Sequence, residues 1–317
     1  MTTLPRVSVI IPPQARCPAA DLTAVARHAE GAGLDGIFVG DHLTPAAPVT
    51  DSTLTLAAAA AAASRIRLGF GVMVLGLRHP AWAARQVATL QQLSGNRVIL
   101  GVGLGGSAHG TAAWQAVGVP YQDRGARTDA ALVVLRSLIS DEPTELPNGA
   151  QLTLAPGAPP PPVWIGGNTA GARRRAATYG DAWFPSMITP GELASGLTHL
   201  AELRAGQETN QVPAAAVGGS VLLGTRLPAD ALTAHIAALT SSYHIPADIA
   251  RQLPLRGSPA AVAERLCSYA DAGALRGVHE PPYRPKAMVS SAAGRAGGTF
   301  RRRLYPASAR LLLPPGA

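Results

Sequence analysis

Short apolar runs alternate with longer helix-forming runs over most of the chain. Such alternation predicts strands of a parallel sheet, each followed by a helix that packs against it. Strands are predicted at residues 7–11, 36–39, 67–74, 98–102, 163–165, 182–184 and 215–223. Helices are predicted near residues 21–32, 51–62, 80–93, 123–138, 170–178, 190–205, 228–240, 246–252 and 258–271.

The strict alternation indicates an α/β fold, and the number of strand–helix units favours a (β/α)8 TIM barrel. With an eighth strand near Gly277, eight strand–helix units would occupy about 280 residues, which suits such a barrel. An open doubly wound sheet is the rival, but no second domain with its own pattern follows. The eighth strand is expected to be irregular, because Pro281 and Pro282 follow it and proline cannot donate to a ladder. We predict a barrel over residues 1–280 and a separate tail over residues 281–317.

Nearly all of the net charge of +8 lies in the predicted tail. Residues 281–317 contain seven Lys and Arg residues and no Asp or Glu. A basic tail can bind nucleic acid or a membrane surface, but this one carries no recognisable nucleic-acid-binding module. We therefore expect a small-molecule substrate, and neither a nucleic-acid nor a membrane partner.

The remaining composition is that of a globular protein, with 47% hydrophobic and 15% charged residues. No run of 18 residues is both strongly apolar and free of charge, and the first residues lack the pattern of a signal peptide. Cys17 and Cys267 lie far apart, without the spacing of metal ligands. The sequence therefore predicts a cytoplasmic protein with no disulfide and no bound metal.

In a (β/α)8 barrel the chemistry takes place where the strands end. Asp41 and His42 follow the second predicted strand, and an imidazole there can give or take a proton near neutral pH. A histidine that only bonds a neighbouring loop is an equal alternative. His79 and His109 also lie near strand ends, and we predict that they line the substrate pocket.

Glycine-rich turns follow the fourth and fifth predicted strands. Such turns expose backbone N–H groups, and the second turn also leads into a helix N-terminus, so both suit a phosphate. They are Gly103-Leu104-Gly105-Gly106 and Gly166-Gly167-Asn168. Residues 101–106 also match G-x-G-x-x-G. They follow the fourth strand rather than the first, however, and no strand ending in an acidic residue comes about 20 residues later, so we do not assign a dinucleotide fold.

Taken together, these segments resemble the bacterial luciferase-like family of flavin- and deazaflavin-dependent oxidoreductases. The similarity runs in order and spacing over about residues 5–275. Four segments carry it, Phe38–His42, Ser64–Pro80, Leu93–Gly103 and Trp164–Phe184, and a weaker match covers Gly118–Tyr121 with Arg124-Gly125. The resemblance implies a (β/α)8 barrel with a flavin-type ring at its mouth.

The resemblance also implies roles for individual residues. In the deazaflavin branch His42 corresponds to a proton donor beside the ring, and Asp41 to a contact of the coenzyme. Family members often have a non-proline cis peptide under the ring, for which Gly71-Val72 is the nearest match. The two glycine turns, 103–106 and 166–168, correspond to loops that hold the phosphate.

Two departures from the family pattern stand out. Relatives commonly have an acidic residue after the glycines of the fourth strand, whereas this chain continues Ser107-Ala108-His109. From about His279 the chain no longer resembles the family. The resemblance leaves a homodimer open, because family members are often dimers.

Three functions follow from the resemblance. The first is hydride transfer from the reduced deazaflavin coenzyme, factor 420, to an electron-poor C=C, C=N or C=O bond, with His42 supplying the proton. The second is an FMN-dependent monooxygenase that uses reduced flavin and oxygen. The third, prompted by the unusual C-terminus, is a barrel that binds the cofactor without turnover.

Overall fold

The computed structural model describes residues 6–12, 14, 17–44, 48–106, 110–205, 211–224, 230–274 and 288–292; for Ser242 and residues 288–292 it describes the backbone alone. The strands are β1 Ser8–Ile10, β2 Gly36–Val39, β3 Arg67–Phe70, β4 Met73–Val74, β5 Val98–Gly103, β6 Thr144–Glu145, β7 Gln151–Leu152, β8 Val163–Gly166, β9 Ala182–Phe184, β10 Ala214–Ala215, β11 Gly218–Leu223, β12 Leu255–Gly257 and β13 Met288–Ala292. The helices are α1 Leu22–Gly31, α2 Ser52–Ala62, α3 Pro80–Ser94, α4 Ala112–Ala116, α5 Arg124–Ile139, α6 Ala170–Tyr179, α7 Pro190–Arg204, α8 Ala231–Tyr243, α9 Ala247–Ala250 and α10 Pro259–Tyr269.

The fold is α/β, with a curled parallel sheet. Its strands follow the order β10-β9-β8-β5-β3-β2-β1-β13-β11-β12, with β4 paired to β5, and all of these pairings are parallel. Helices follow the strands along the chain, which places the carboxyl ends of the strands at one edge. The curl arises because each strand is twisted and staggered against its neighbour.

All seven predicted strands are present, and two of them are interrupted. The third divides into β3 and β4 at Gly71-Val72, and the seventh into β10 and β11. The structure adds α4 and β12, neither of which has a strong periodic signal, while β6 and β7 form a small antiparallel hairpin in the proline-rich segment 143–162, where the sequence suggests an insertion or a hairpin. Caps explain several boundaries, since the side chains of Asp51 and Ser258 each accept the backbone N–H three residues later.

The position predicted for the eighth strand, near Gly277, lies outside the described residues. The strand that pairs with β1 and β11 is β13, with both Ser8 and Gly218 opposite Met288. This strand lies within the predicted tail. Closure into eight strands stays a prediction, and so does a domain boundary at residue 280.

Two apolar layers hold the sheet. The outer one joins the sheet to helices α1, α2, α3 and α5, while the inner one fills the concave side. The inner cluster contains Phe38, Trp164 and Phe184, whose ring centroids lie 5.4–5.9 Å apart. Gly69 leaves room for this packing, because a Cβ there would lie 2.1 Å from the Phe38 ring. The three rings form a floor beneath the edge where the strands end.

Two further findings concern the cysteine residues and the length and composition of the helices. Cys17 is buried and Cys267 is exposed, and neither forms a disulfide. None of the helices in the described ranges combines the length and the apolar composition that a bilayer crossing requires.

Candidate active site at the carboxyl edge of the sheet

Asp41 is the buried electrostatic centre of this edge. It follows β2 and is only 7% exposed. Its two oxygens accept from both terminal nitrogens of Arg78, at 2.5 and 2.7 Å, and one also accepts the backbone N–H of Val74 at 2.8 Å. The hydroxyl of Ser52 donates the fourth bond at 2.8 Å. A carboxylate offers about four acceptor positions, so those of Asp41 are already taken within the protein.

The ion pair is the reason that Asp41 can be buried. Burial lowers the pKa of Arg78, but the hydrogen bonds and the charge of Asp41 outweigh this effect and raise the pKa overall. Arg78 therefore stays charged, and its bidentate contact with Asp41 fixes β2 against the segment after β4. Sequence reasoning missed Arg78 and Ser52, although Arg78 directly precedes His79 in a segment that carries the family resemblance.

His42 stands beside this anchor and is exposed. Its ring folds back over Gly40, where a Cβ would lie 3.2 Å from Nε2 of His42. Because Asp41 is held by four hydrogen bonds, the backbone that carries His42 is fixed while its imidazole remains accessible. The arrangement suits a group that exchanges a proton with a molecule bound at the edge.

The peptide bond between Gly71 and Val72 is cis, as the resemblance led us to expect. Val72 lies over two of the predicted cofactor residues. A Cβ at Gly103 would be 2.4 Å from Val72, and one at Gly166 would be 2.9 Å from it. A Cβ at Gly101 would approach the carbonyl oxygen of Phe70 to 2.0 Å. Sites far apart in sequence therefore converge, and these glycines make room for Val72.

The turn after β5 continues this surface. Gly105 has a φ of +70°, which favours glycine, and a Cβ there would lie 3.3 Å from the Val74 side chain. Leu104 and Gly106 flank it on either side. His109 lies outside the described residues, so its predicted place in the substrate pocket is not seen.

The turn after β8 contains Gly167 and Asn168, which are exposed. Gly167 has a φ of +113°, and its carbonyl accepts from the indole of Trp183 at 2.8 Å. The Asn168 side chain donates to the carbonyl of Ser186 and accepts its N–H, at 2.8 and 3.2 Å. Thr169 then caps α6, with its hydroxyl accepting from Ala172. This turn ties β8 to the residues after β9 and presents the start of α6 to solvent.

His79 has a local structural function. It caps α3, and its Nδ1 accepts the backbone N–H of Ala81 at 3.3 Å. The ring is exposed. Its predicted contact with substrate stays a prediction, and one of its two ring nitrogens is already used.

A pocket of about 890 Å³ opens beside Asn168 and extends between α7 and the segment that leads into α9. Its lining includes Arg173, Trp183, Met187 and Ile245. His42 does not line it. In the described part of the chain, no group of three or more His, Cys, Asp or Glu side chains could hold a metal ion.

Comparisons with known proteins concern the family and the fold of the chain. A family model for luciferase-like monooxygenases matches residues 2–244. The F420-dependent hydroxymycolic acid dehydrogenase of Mycobacterium tuberculosis is 33% identical over 173 residues, which is 51% of this chain and 48% of that protein. The chain spans about half the length of the curated relatives it matches first.

Two solved structures share the fold. An F420-dependent secondary alcohol dehydrogenase in complex with an F420–acetone adduct superposes with a TM-score of 0.72 at 18% identity, covering 91% of this chain and 93% of that one. The oxygenating constituent of 3,6-diketocamphane monooxygenase from Pseudomonas putida, in complex with FMN, gives 0.66 at 16% identity and 92% coverage of both chains. At such identities the likeness shows the fold alone.

Proposed function

The chain belongs to the luciferase-like monooxygenase family, and from this premise we propose that it reduces an electron-poor C=C, C=N or C=O bond of a small organic molecule with hydride from reduced factor 420. The observation that carries the proposal is the convergence of Val72, Gly103 and Gly166 on the edge that also holds His42. F420-dependent proteins occur both among the sequence relatives and among the structural neighbours.

The edge fits a planar ring with an anionic tail. Val72 packs over Gly103 and Gly166, and its side chain would support such a ring. The turns at 104–106 and 167–169 offer backbone N–H groups, and the second leads into a helix N-terminus that attracts anions. Arg173 and Arg174 add positive charge in the first turns of α6. When bound, the coenzyme supplies the hydride, and the protein supplies orientation and charge.

In this proposal His42 delivers the proton that the substrate needs after it accepts hydride. An imidazole titrates near neutral pH, so one group can donate the proton and be recharged from solvent, to which His42 is open. Asp41 takes a different role from the one the resemblance implies. Because its oxygens are occupied by Arg78, Ser52 and Val74, we assign it to positioning His42 rather than to binding the coenzyme.

We further propose that the sheet closes into an eight-stranded barrel, with this edge as its rim. The chain over residues 214–223 pairs with β9 through β10 and with β13 through β11. The two ends of the sheet therefore meet on one segment, as closure requires.

Absorbance titration tests the cofactor. Purified protein is mixed with oxidised factor 420 or with FMN, and the change in the visible band is followed with concentration. We expect saturable binding of factor 420 and weaker binding of FMN. Preference for FMN, together with oxygen uptake when FMN is supplied in its reduced form with substrate, would instead establish the monooxygenase, which the FMN-bound structural neighbour favours. Binding with no turnover over a broad panel of carbonyls, imines and enones would establish a barrel that only binds.

The proton donor is tested by His42→Gln. We expect coenzyme binding to change less than threefold and turnover to fall about 100-fold, since general acid catalysis contributes roughly 10²–10⁴. The matched control is His28→Gln, at an exposed position on α1. Full activity of the His42 variant would remove this residue from the mechanism.

A further inference from the structure

Ser220 and His235 form a polar pair that the proposed mechanism does not use. Ser220 lies on β11 and is 8% exposed, and its hydroxyl is 2.8 Å from Nε2 of His235 on α8. The hydroxyl also lies 3.8 Å from the sulfur of Met187. Burial lowers the pKa of His235, so its imidazole is uncharged at neutral pH.

Strand alternation places Ser220 on the concave side of the sheet. Ala214 and Ala216 belong to the inner apolar cluster with Phe38 and Trp164, whereas the intervening residues pack outward. The same alternation continues through Gly218 to Ser220. The next residue, Val221, belongs to the outer layer. Ser220 therefore faces the space above the floor of aromatic rings.

Backbone pairing places Ser220 at the carboxyl edge as well. Gly218 pairs with Ser186, which already lies beyond the end of β9. Ser186 is in turn held by the side chain of Asn168, one of the predicted cofactor residues. Ser220 lies one pleat further along β11. In the strand order, β11 is separated from β2, which precedes His42, by β13 and β1.

The polar pair departs from the pattern of the segment on which Ser220 lies. Ala214 and Ala216 occupy the equivalent positions earlier on the same segment, and both are buried and apolar. A serine hydroxyl buried here without a partner would cost free energy, and the hydrogen bond to His235 offsets that cost. Such a departure from an apolar pattern is typical of a functional position.

We propose that Ser220 and His235 bind an uncharged oxygen of the substrate, the oxygen of a carbonyl or hydroxyl group, on the wall that faces His42. The proposal rests on the proposed function for the position of the reacting bond. The hydroxyl and the imidazole together provide a donor and an acceptor, which suits both a ketone and an alcohol. An uncharged imidazole gives no advantage to a carboxylate, so the pair selects neutral oxygen compounds.

Binding is tested without turnover by nuclear magnetic resonance of protein labelled with ¹⁵N-histidine. The His235 signals are identified by their loss in His235→Gln. Cyclohexanone and methylenecyclohexane have nearly the same shape, but only the first carries an oxygen. We expect cyclohexanone to shift the His235 signals saturably and methylenecyclohexane to leave them in place. Ser220→Ala should weaken the ketone effect about tenfold.

Turnover gives a second readout in the loaded enzyme. We expect Ser220→Ala and His235→Gln to raise KM for ketones about tenfold with kcat changed less than threefold. Ser241→Ala, at an exposed site on the same helix, serves as the control. If Ser220→Ala fails to fold, His235→Gln carries the same test.

Different outcomes overturn the substrate role of Ser220 and His235 and the proposed function. Equal responses of His235 to both cyclic compounds, or a response to neither, would overturn the substrate role whatever the coenzyme does. Absence of any coenzyme binding would overturn the proposed function but would leave the ketone titration valid.

Discussion

At the scale of single residues, the structure separates an accessible imidazole, that of His42, from the buried pair of Asp41 and Arg78 beside it. The sequence located Asp41 and His42, because a carboxylate and an imidazole directly after a buried strand are unusual. It could not assign their roles, since these depend on Arg78, which is 37 residues away in sequence. Buried ion pairs are made by the fold and leave no local pattern.

Arg78→Met tests the buried pair. The substitution leaves Asp41 charged and poorly compensated, so we expect a loss of about 3 kcal/mol in the free energy of unfolding. Arg65→Met is the comparison, because Arg65 pairs with Glu30 but its side chain is 75% exposed. That variant should lose less than about 0.5 kcal/mol. Urea denaturation measures both, and equal losses would contradict the assignment.

Glu30 predicts a dependence of stability on pH. Burial raises its pKa, but backbone N–H groups of Arg65, Ile66 and Ser64 outweigh this and lower it overall. Because the pKa of Glu30 is lower in the folded state, its ionised side chain stabilises the fold at pH values above the unfolded pKa, about 4.3. This contribution is lost as the pH falls through the folded pKa. Glu30→Gln should therefore cost about 1 kcal/mol at pH 7 and nothing near pH 2. Glu264→Gln, exposed on α10, should show no such trend.

At the scale of elements, glycines decide how strands approach one another. The sequence showed clusters of glycine after the fourth and fifth strands and suggested phosphate binding. The structure adds a packing reason, because Gly103 and Gly166 lie beneath Val72. This could not be predicted from periodicity, since the interruption between β3 and β4 that turns Val72 inward is not encoded by apolar spacing. Most strands and helices, in contrast, followed from spacing and caps.

Gly103→Ala tests this packing. The new methyl group would overlap Val72, so we expect a loss of about 1–3 kcal/mol in stability, with weaker coenzyme binding. Gly219→Ala is the control, because nothing lies within 4 Å of its Cβ position. It should stay within about 1 kcal/mol of the parent. Val72→Ala combined with Gly103→Ala should recover part of the loss; a purely additive double variant would refute the contact.

At the scale of the whole molecule, alternation predicted the α/β class, but the sequence did not indicate that residues 288–292 form the strand between β1 and β11. Counting the alternating segments predicted the number of strand–helix units, whereas the position of β13 depends on pairing with β1 and β11. Proline-rich and basic surroundings hide that strand from a sequence analysis. Long-range pairing of this kind is a property of the assembled sheet.

Truncation tests the contribution of β13. A chain ending at residue 280 lacks the strand between β1 and β11, and we expect it to lose at least about 3 kcal/mol of stability or to fail to fold. A chain ending at residue 300 retains β13 and should melt within a few degrees of the full chain. Thermal melting followed by circular dichroism compares the two. Equal melting of both would support a domain boundary at residue 280.

The packing of Val72 on glycine has a consequence for redesign. Along one wall Val72 rests on glycines that leave no room for a larger residue, whereas Ser220 and His235, the proposed substrate contacts, can be substituted. If both proposals hold, a library confined to Ser220 and His235 changes which compounds are accepted and leaves coenzyme binding intact, so that substrate selectivity varies independently of coenzyme affinity.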